Sequence, residues 1–431
     1  MSKVMSSHSP GLPTQAPSVN YTRSMFIIGA LFFVFGFVTW LNSVLIPYLK
    51  IACELNNFES YLVTFAFYIA YLVMGIPAGW LLKKTGYKKG MSAGLLIIAA
   101  GALVFIPAAM TRTYGLFLLG LFVQGTGLTV LQAAVNPYVS IIGPPESAAQ
   151  RISIMGICNK IAGSSAPFIL GSILLAGADD LVTNLSTMDL AQKAQGLDAL
   201  ASRVITPYLI IMGALILLSV FTYFSGLPEV DTDQEDESVA AANTGKTSVF
   251  QFPHLVIGVL SLFLYVGVEV MAGDTVISYA SSQGIPLAEA SRFTTFTLWA
   301  MIAGYVIGII AIPRYISQHK ALQICAVLGV VFTLMAIFTD GYVSVLSISL
   351  LGLANSLMWP AIFPLAIADL GRFTKIGSSL LVMGIAGGAV LPLLYGFLVD
   401  IVNAQQAYWM MVPCYLFILY FAALGYKIRT R

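Results

Sequence analysis

The chain has 431 residues, 58% of them hydrophobic and 9% charged, with a formal net charge of +2. Soluble domains carry roughly 25% charged residues, so a water-soluble globule of this length is excluded, and the absence of a long basic tract excludes nucleic-acid binding. Cys53, Cys158, Cys325 and Cys414 share no CxxC spacing and have no histidine at ligand spacing, which excludes a zinc or dithiol motif.

Residues 1–23 are polar, carry Pro10, Pro13 and Pro17, and lack the apolar run and cleavage site of a signal peptide. They are expected to form a disordered cytoplasmic tail. A helix needs about 20 mostly apolar residues to cross a bilayer. Segments of that kind follow at 24–49, 58–82, 90–110, 113–142, 151–176 and 204–226. The stretch 227–252 contains Asp231, Asp233, Glu235, Asp236 and Glu237 and reads as an acidic cytoplasmic linker. Six further segments lie at 253–281, 290–313, 321–339, 342–370, 376–399 and 406–427. The fold class is therefore an all-α membrane protein of twelve transmembrane helices, divided into halves at 24–226 and 253–431.

Basic residues near helix ends set the orientation. With both termini in the cytoplasm, the inside loops and tails hold fifteen Lys and Arg and the outside loops five, Lys50, Arg112, Lys193, Arg203 and Arg292. The expected location is a plasma (inner) membrane, multi-pass, with both termini inside.

The halves repeat a motif. Gly79-Trp-Leu-Leu-Lys-Lys-Thr-Gly86-Tyr-Lys-Lys89 follows span two, and Gly308 through Lys320 occupies the same place after span eight. Each has a glycine in the last helical turn and then a tight basic turn. This arrangement resembles the major facilitator superfamily, with Lys83 where the superfamily motif usually carries an acidic residue. The resemblance implies a substrate site near the midplane between the halves. Longer stretches are similar to the bacterial fucose–galactose–glucose permeases: Asn136-Pro-Tyr-Val-Ser-Ile-Ile-Gly-Pro144, Trp359-Pro-Ala-Ile-Phe-Pro-Leu, Thr374 through Met383, and Gly396-Phe-Leu-Val-Asp400. Trp40 through Lys50 and Tyr265 through Asp274 resemble the glucose/galactose and N-acetylglucosamine branches. In the family's proton symporters, carboxylates in spans one and four serve coupling. Ser43 and Gln132 stand at the matching positions and cannot titrate, so that mechanism does not transfer.

Charges inside a span cost about 2.5–3.5 kcal/mol on insertion scales and point to function. Lys160 in span five and Glu269 and Asp274 in span seven qualify. Lys160 and Glu269 read either as a fixed ion pair between helices or as a cation site that Lys160 tunes. Asp274, after Gly273, reads as a second cation-coupling carboxylate beside a local helix break, or as an interfacial residue in water. Amides serve sugar hydroxyls as donor and acceptor. The candidates are Asn42, Gln132, Asn136, Asn159 and Asn355, each also able to form a helix–helix bond of about 0.6 kcal/mol. Trp359 offers a flat apolar face to a pyranose ring, and Trp40 is a weaker candidate for the same role.

These residues and the resemblance predict a monosaccharide symporter with alternating access, for a glucose/galactose-type hexose or N-acetylglucosamine, coupled to Na+ or H+. A drug or cation exporter of the same fold and a sugar uniporter are the alternatives. No nucleophile–base set or metal cluster occurs, and His8, His254 and His319 lie outside span interiors, so an enzyme is not expected. Neither is an organic cofactor or a resident metal, beyond Na+ near Glu269. The expected partners are a small sugar and the bilayer, and a monomer is expected.

Overall fold

The computed structural model describes residues 21–141, 148–185, 187–227, 247–312, 314–368, 370 and 373–430. All regular structure among them is helical. Twelve segments are long and apolar enough to cross a membrane: Arg23–Ala52, Asn57–Leu82, Tyr87–Thr111, Tyr114–Val135, Ile154–Leu174, Leu190–Phe224, Pro253–Asp274, Leu287–Ala311, Gln318–Phe338, Gly341–Ile367, Ser379–Ile401 and Gln406–Ala423. These are spans one to twelve. Most of the acidic linker and most of the N-terminal tail lie outside the described residues. Large apolar side chains such as Phe26, Ile76, Ile210, Leu217 and Trp299 stand exposed on the perimeter, as a lipid solvent requires.

Spans one, seven, ten and eleven are interrupted, and the local chemistry explains the first three breaks. Span one divides into α1 (Tyr21–Trp40) and α2 (Asn42–Ala52). The amide of Val44 turns to the Leu41 carbonyl, and the Ser43 hydroxyl takes the freed Trp40 carbonyl at 2.8 Å. Pro47, inside α2, has no N–H to return to Ser43. After α3 (Asn57–Thr85), α4 (Tyr87–Thr111), α5 (Tyr114–Ile141) and α6 (Ala148–Leu174) come two short helices, α7 (Ala178–Leu185) and α8 (Leu190–Ser202). They lie between the fifth and sixth segments that the sequence predicts. The second, α8, is tied down by Tyr48, whose hydroxyl donates to the carbonyls of Leu200 and Ala201 at 2.9 and 2.8 Å. Span six is α9 (Ile205–Phe224).

Span seven divides into α10 (Pro253–Asp274) and α11 (Val276–Ser282) at Thr275, whose hydroxyl bonds the Met271 carbonyl and Tyr408. The expected break beside Gly273 is therefore present. Spans eight and nine are α12 (Leu287–Ala311) and α13 (Gln318–Phe338). Span ten divides into α14 (Gly341–Asn355) and α15 (Met358–Ile367), where Pro360 cannot donate to Ser356. Span eleven runs as α16 (Thr374–Met383), one 3-10 turn, and α17 (Gly387–Ile401); span twelve contains α18 (Met411–Ala423). The tight basic turn after span two is built on Gly86, whose φ of +77° an L side chain rarely adopts.

The halves meet through spans two and eleven and through spans five and eight. Their contacts run from the end remote from the linker to mid-depth. At that remote end Asp400 accepts from the amides of Asn57 and Phe58, the first residues of α3, at 3.3 and 2.8 Å. Asp179 accepts from the amide of Leu287, the first residue of α12, at 2.9 Å. Asp179 follows span five and Asp400 stands in the last turn of span eleven, the fifth span of each half, and each caps the second span of the other half.

Candidate functional site

The broken helices deliver Trp40, Asp274 and Asn355, each the last residue before an interruption. Trp40 is 2% exposed and packs with Leu298 and Met301 of α12. Two glycines make room for its indole. A Cβ at Gly163 of α6 would lie 2.3 Å from the ring, and one at Gly273 of α10 would lie 2.0 Å from it. The indole is thus wedged between the two halves.

Lys160 and Glu269 form an ion pair across the same interface, Nζ to Oε1 at 2.9 Å. Their side chains are 11% and 12% exposed. Lys160 Nζ also sits 4.8 Å from the Trp40 ring centroid, within cation–π range. The contact between them is the one that both expectations for the pair require. Trp40, the weaker aromatic candidate from sequence, lies at the centre of the cluster. The signal for it was the pair of glycines that face it, which have meaning only once the helices are packed.

Asp274 is fully buried, which rules out the reading of an interfacial residue in water. Its Oδ2 accepts from the hydroxyl of Thr64 in α3 at 3.2 Å, across the halves, while Oδ1 has no hydrogen-bond partner. Thr64 was not singled out from sequence. A lone threonine in an apolar span carries no signal until its partner is known. The neighbouring hydroxyls are spent on backbone: Thr294 donates to the Gly273 carbonyl, Thr297 to that of Phe293, and Thr275 to that of Met271.

The amides divide. Asn42 is 1% exposed and neither its Oδ1 nor its Nδ2 has a partner. Asn355 accepts from the Tyr415 hydroxyl at 3.0 Å and leaves Nδ2 unpartnered. Asn159 donates to the Phe32 carbonyl at 3.5 Å, a bond between spans five and one. Gln132 is half-buried in a shallow depression whose other walls are Leu31, Phe32, Phe35, Leu131 and Val135. The side chain of Asn136 lies outside the described residues, although its backbone belongs to α5. Trp359 is half-buried and stacks on Phe363, with ring centroids 5.9 Å apart, apart from the Trp40 cluster. Among the described residues no group of three His, Cys, Asp or Glu gathers to hold a metal. The cluster can therefore bind uncharged polar groups through orphaned amides and hold a charge through paired or unpaired carboxylates.

Residues 28–383 match the family model of the Major Facilitator Superfamily. The chain is 36% identical over 411 residues to a glucose/galactose transporter of Brucella abortus, covering 95% of each chain. It is 31% identical over 421 residues to an L-fucose-proton symporter of Escherichia coli, covering 96% of this chain and 95% of that one. The crystal structure of the Escherichia coli fucose:proton symporter superposes with a TM-score of 0.70 at 30% identity, covering 94% of this chain and 99% of that one. With twelve spans in two halves and its polar groups gathered at broken helices between them, the chain is a membrane transport protein and belongs to the fucose–galactose–glucose permeases of the Major Facilitator Superfamily.

Proposed function

We propose that the chain imports a monosaccharide by alternating access, coupled to the inward flow of a cation. The observation that carries this reading is Asn42, a buried amide at a helix break with every polar atom unsatisfied. An unpartnered buried amide costs about 1–3 kcal/mol, a cost that a bound hydroxyl in another state of the cycle relieves. Trp40 beside it supplies an apolar face, and discontinuous helices at the repeat interface are where such transporters bind their substrates. The relatives named for glucose, galactose and fucose support a hexose, with N-acetylglucosamine as a second candidate. Gln132, Asn136, Asn159, Asn355 and Trp359 complete the candidate sugar contacts, and Glu269, Asp274 and Lys160 are the candidates from which the coupling residue is drawn.

The charge bias of the loops supports a plasma-membrane protein with the linker and both termini inside; we propose that it works as a monomer. The contacts zipped at the linker-remote end then close the outer side. Counterflow of a panel of labelled sugars into proteoliposomes, with and without Na+, tests the reading. Exchange of a hexose is expected. Exchange of organic cations in place of sugars would favour an exporter, and sugar exchange without uphill accumulation a uniporter.

A further inference from the structure

Glu269 already has a counter-ion, and Asp274 has none. Glu269 holds Lys160 at 2.9 Å. Asp274 is 0% exposed, with one oxygen on the Thr64 hydroxyl and the other unpartnered. The titratable groups that face it are the phenols of Tyr61 and Tyr68 from α3; no basic side chain pairs with it among the described residues. An ionised carboxylate enclosed without a counter-charge is strongly disfavoured, so this closed packing accommodates the neutral acid.

We propose that Asp274, and not Glu269, carries the coupling proton, and that its contact with Thr64 ties proton loading to closure between spans two and seven. This rests on the symport reading above. With the halves parted at the linker-remote end, Thr64 withdraws and Asp274 meets water as a carboxylate. A proton taken from that side onto the free oxygen neutralises it and allows the halves to close. The same proton leaves to the linker side when that side hydrates the acid. One proton moves with one sugar, and Lys160–Glu269 stays a charge-neutral strut.

The test uses the full-length protein in proteoliposomes, with labelled sugar and a pH-sensitive dye, and infrared spectroscopy on the same samples. Wild type should accumulate sugar along an imposed proton gradient and alkalinise the outside when sugar is added. It should also show the carbonyl stretch of a protonated carboxylic acid at neutral pH. Asp274→Asn should lose the infrared band and the alkalinisation, and its accumulation ratio should fall to one while counterflow remains measurable. Asp274→Glu should recover part of the proton movement. Thr64→Val, which keeps volume and removes the donor, should shift the pH at which accumulation is half-maximal. Proton-driven accumulation by Asp274→Asn would overturn the proposal, as would an unchanged infrared band in that variant or wild-type accumulation that follows Na+ alone. Absence of any sugar counterflow in wild type would instead overturn the sugar reading, while the infrared band would still report whether Asp274 holds a proton.

Discussion

The carboxylate of Asp400, at the end of span eleven, receives the amide of Phe58 at 2.8 Å and so caps the helix of span two in the opposite half. The Asn57 side chain joins the same group, donating to Asp400 at 2.6 Å and accepting from Lys50 at 2.5 Å. A cap of this kind contributes about 0.5–2 kcal/mol, with the lower end fitting an exposed site. Asp400→Ala should therefore raise the population open at the linker-remote end by about two- to thirty-fold. Labelling of a Tyr61→Cys probe by an impermeant maleimide, in a Cys53→Ser background, measures it. Labelling equal to that of the parent would show that the cap does not bear on closure.

Cys53 follows span one and is half-buried, and burial pushes its thiol up to about 11 although Arg112 pulls the other way. Only the thiolate reacts with a maleimide. Labelling of intact cells should thus be slow at neutral pH and rise about tenfold per pH unit up to that value. All four cysteines are unpaired in the structure, so reductant should leave the rate unchanged. A rate that levels off near pH 8.5, the ordinary value of a free thiol, would show the thiol to be exposed.

The indole of Trp40 sits where a methyl group on Gly273 would lie, 2.0 Å away. Gly273→Ala should cost about 1–3 kcal/mol by overpacking, read as a lower melting temperature and reduced transport. Combining it with Trp40→Ala should recover stability and not transport, because the indole is also a proposed sugar platform. Additive losses in the double variant would place the strain elsewhere.

Asn42 and Asn355 should respond differently to truncation. Asn42→Ala removes atoms that have no partner in the protein, so stability should hold or rise while sugar affinity falls several-fold, equivalent to about 0.5–1.5 kcal/mol. Asn355→Ala strips the buried Tyr415 hydroxyl of its acceptor and should lower stability by about 1–3 kcal/mol. Melting curves and sugar titrations on both variants decide between the roles. Loss of stability in Asn42→Ala would make it a packing residue.

Removing one member of the Lys160–Glu269 pair leaves a nearly buried charge alone, which typically costs about 3–5 kcal/mol. Lys160→Ala should impair folding and every transport mode. The combined change Lys160→Met with Glu269→Leu should restore the melting temperature, since an apolar pair of similar volume replaces a buried ion pair at little or no loss. Persistent instability of the double variant would point to further partners for one of the two charges.

Span number, the division into halves and the cost of charges at Lys160, Glu269 and Asp274 follow from composition and length, because lipid leaves a helix no other way to satisfy its backbone. The break beside Gly273 was legible for the same reason. The break after Trp40 was not, since it depends on a serine hydroxyl taking one carbonyl and a proline withholding a bond from another. The site was legible as a set of residues and not as a set of contacts. Lys160 and Glu269 meet as ion-pair partners, yet Asn159 reaches the Phe32 backbone and Trp359 stacks on Phe363, pairings that depend on how helices face one another. Thr64 and Gly163 acquire meaning only through Asp274 and Trp40.

The two caps that cross the halves have a mechanical consequence. Asp179 holds the start of span eight and Asp400 the start of span two, so the clasps sit on opposite flanks of the bundle and are exchanged by its internal two-fold repeat. Releasing either alone leaves the other as a pivot, and the halves can then only tilt about it. A clear passage needs both released together, which makes the gate behave as a logical conjunction rather than a sum. Asp179→Ala and Asp400→Ala combined should therefore open the linker-remote end by the product of their separate effects rather than their sum, and a transporter built this way is protected against leaking when one clasp breaks by chance.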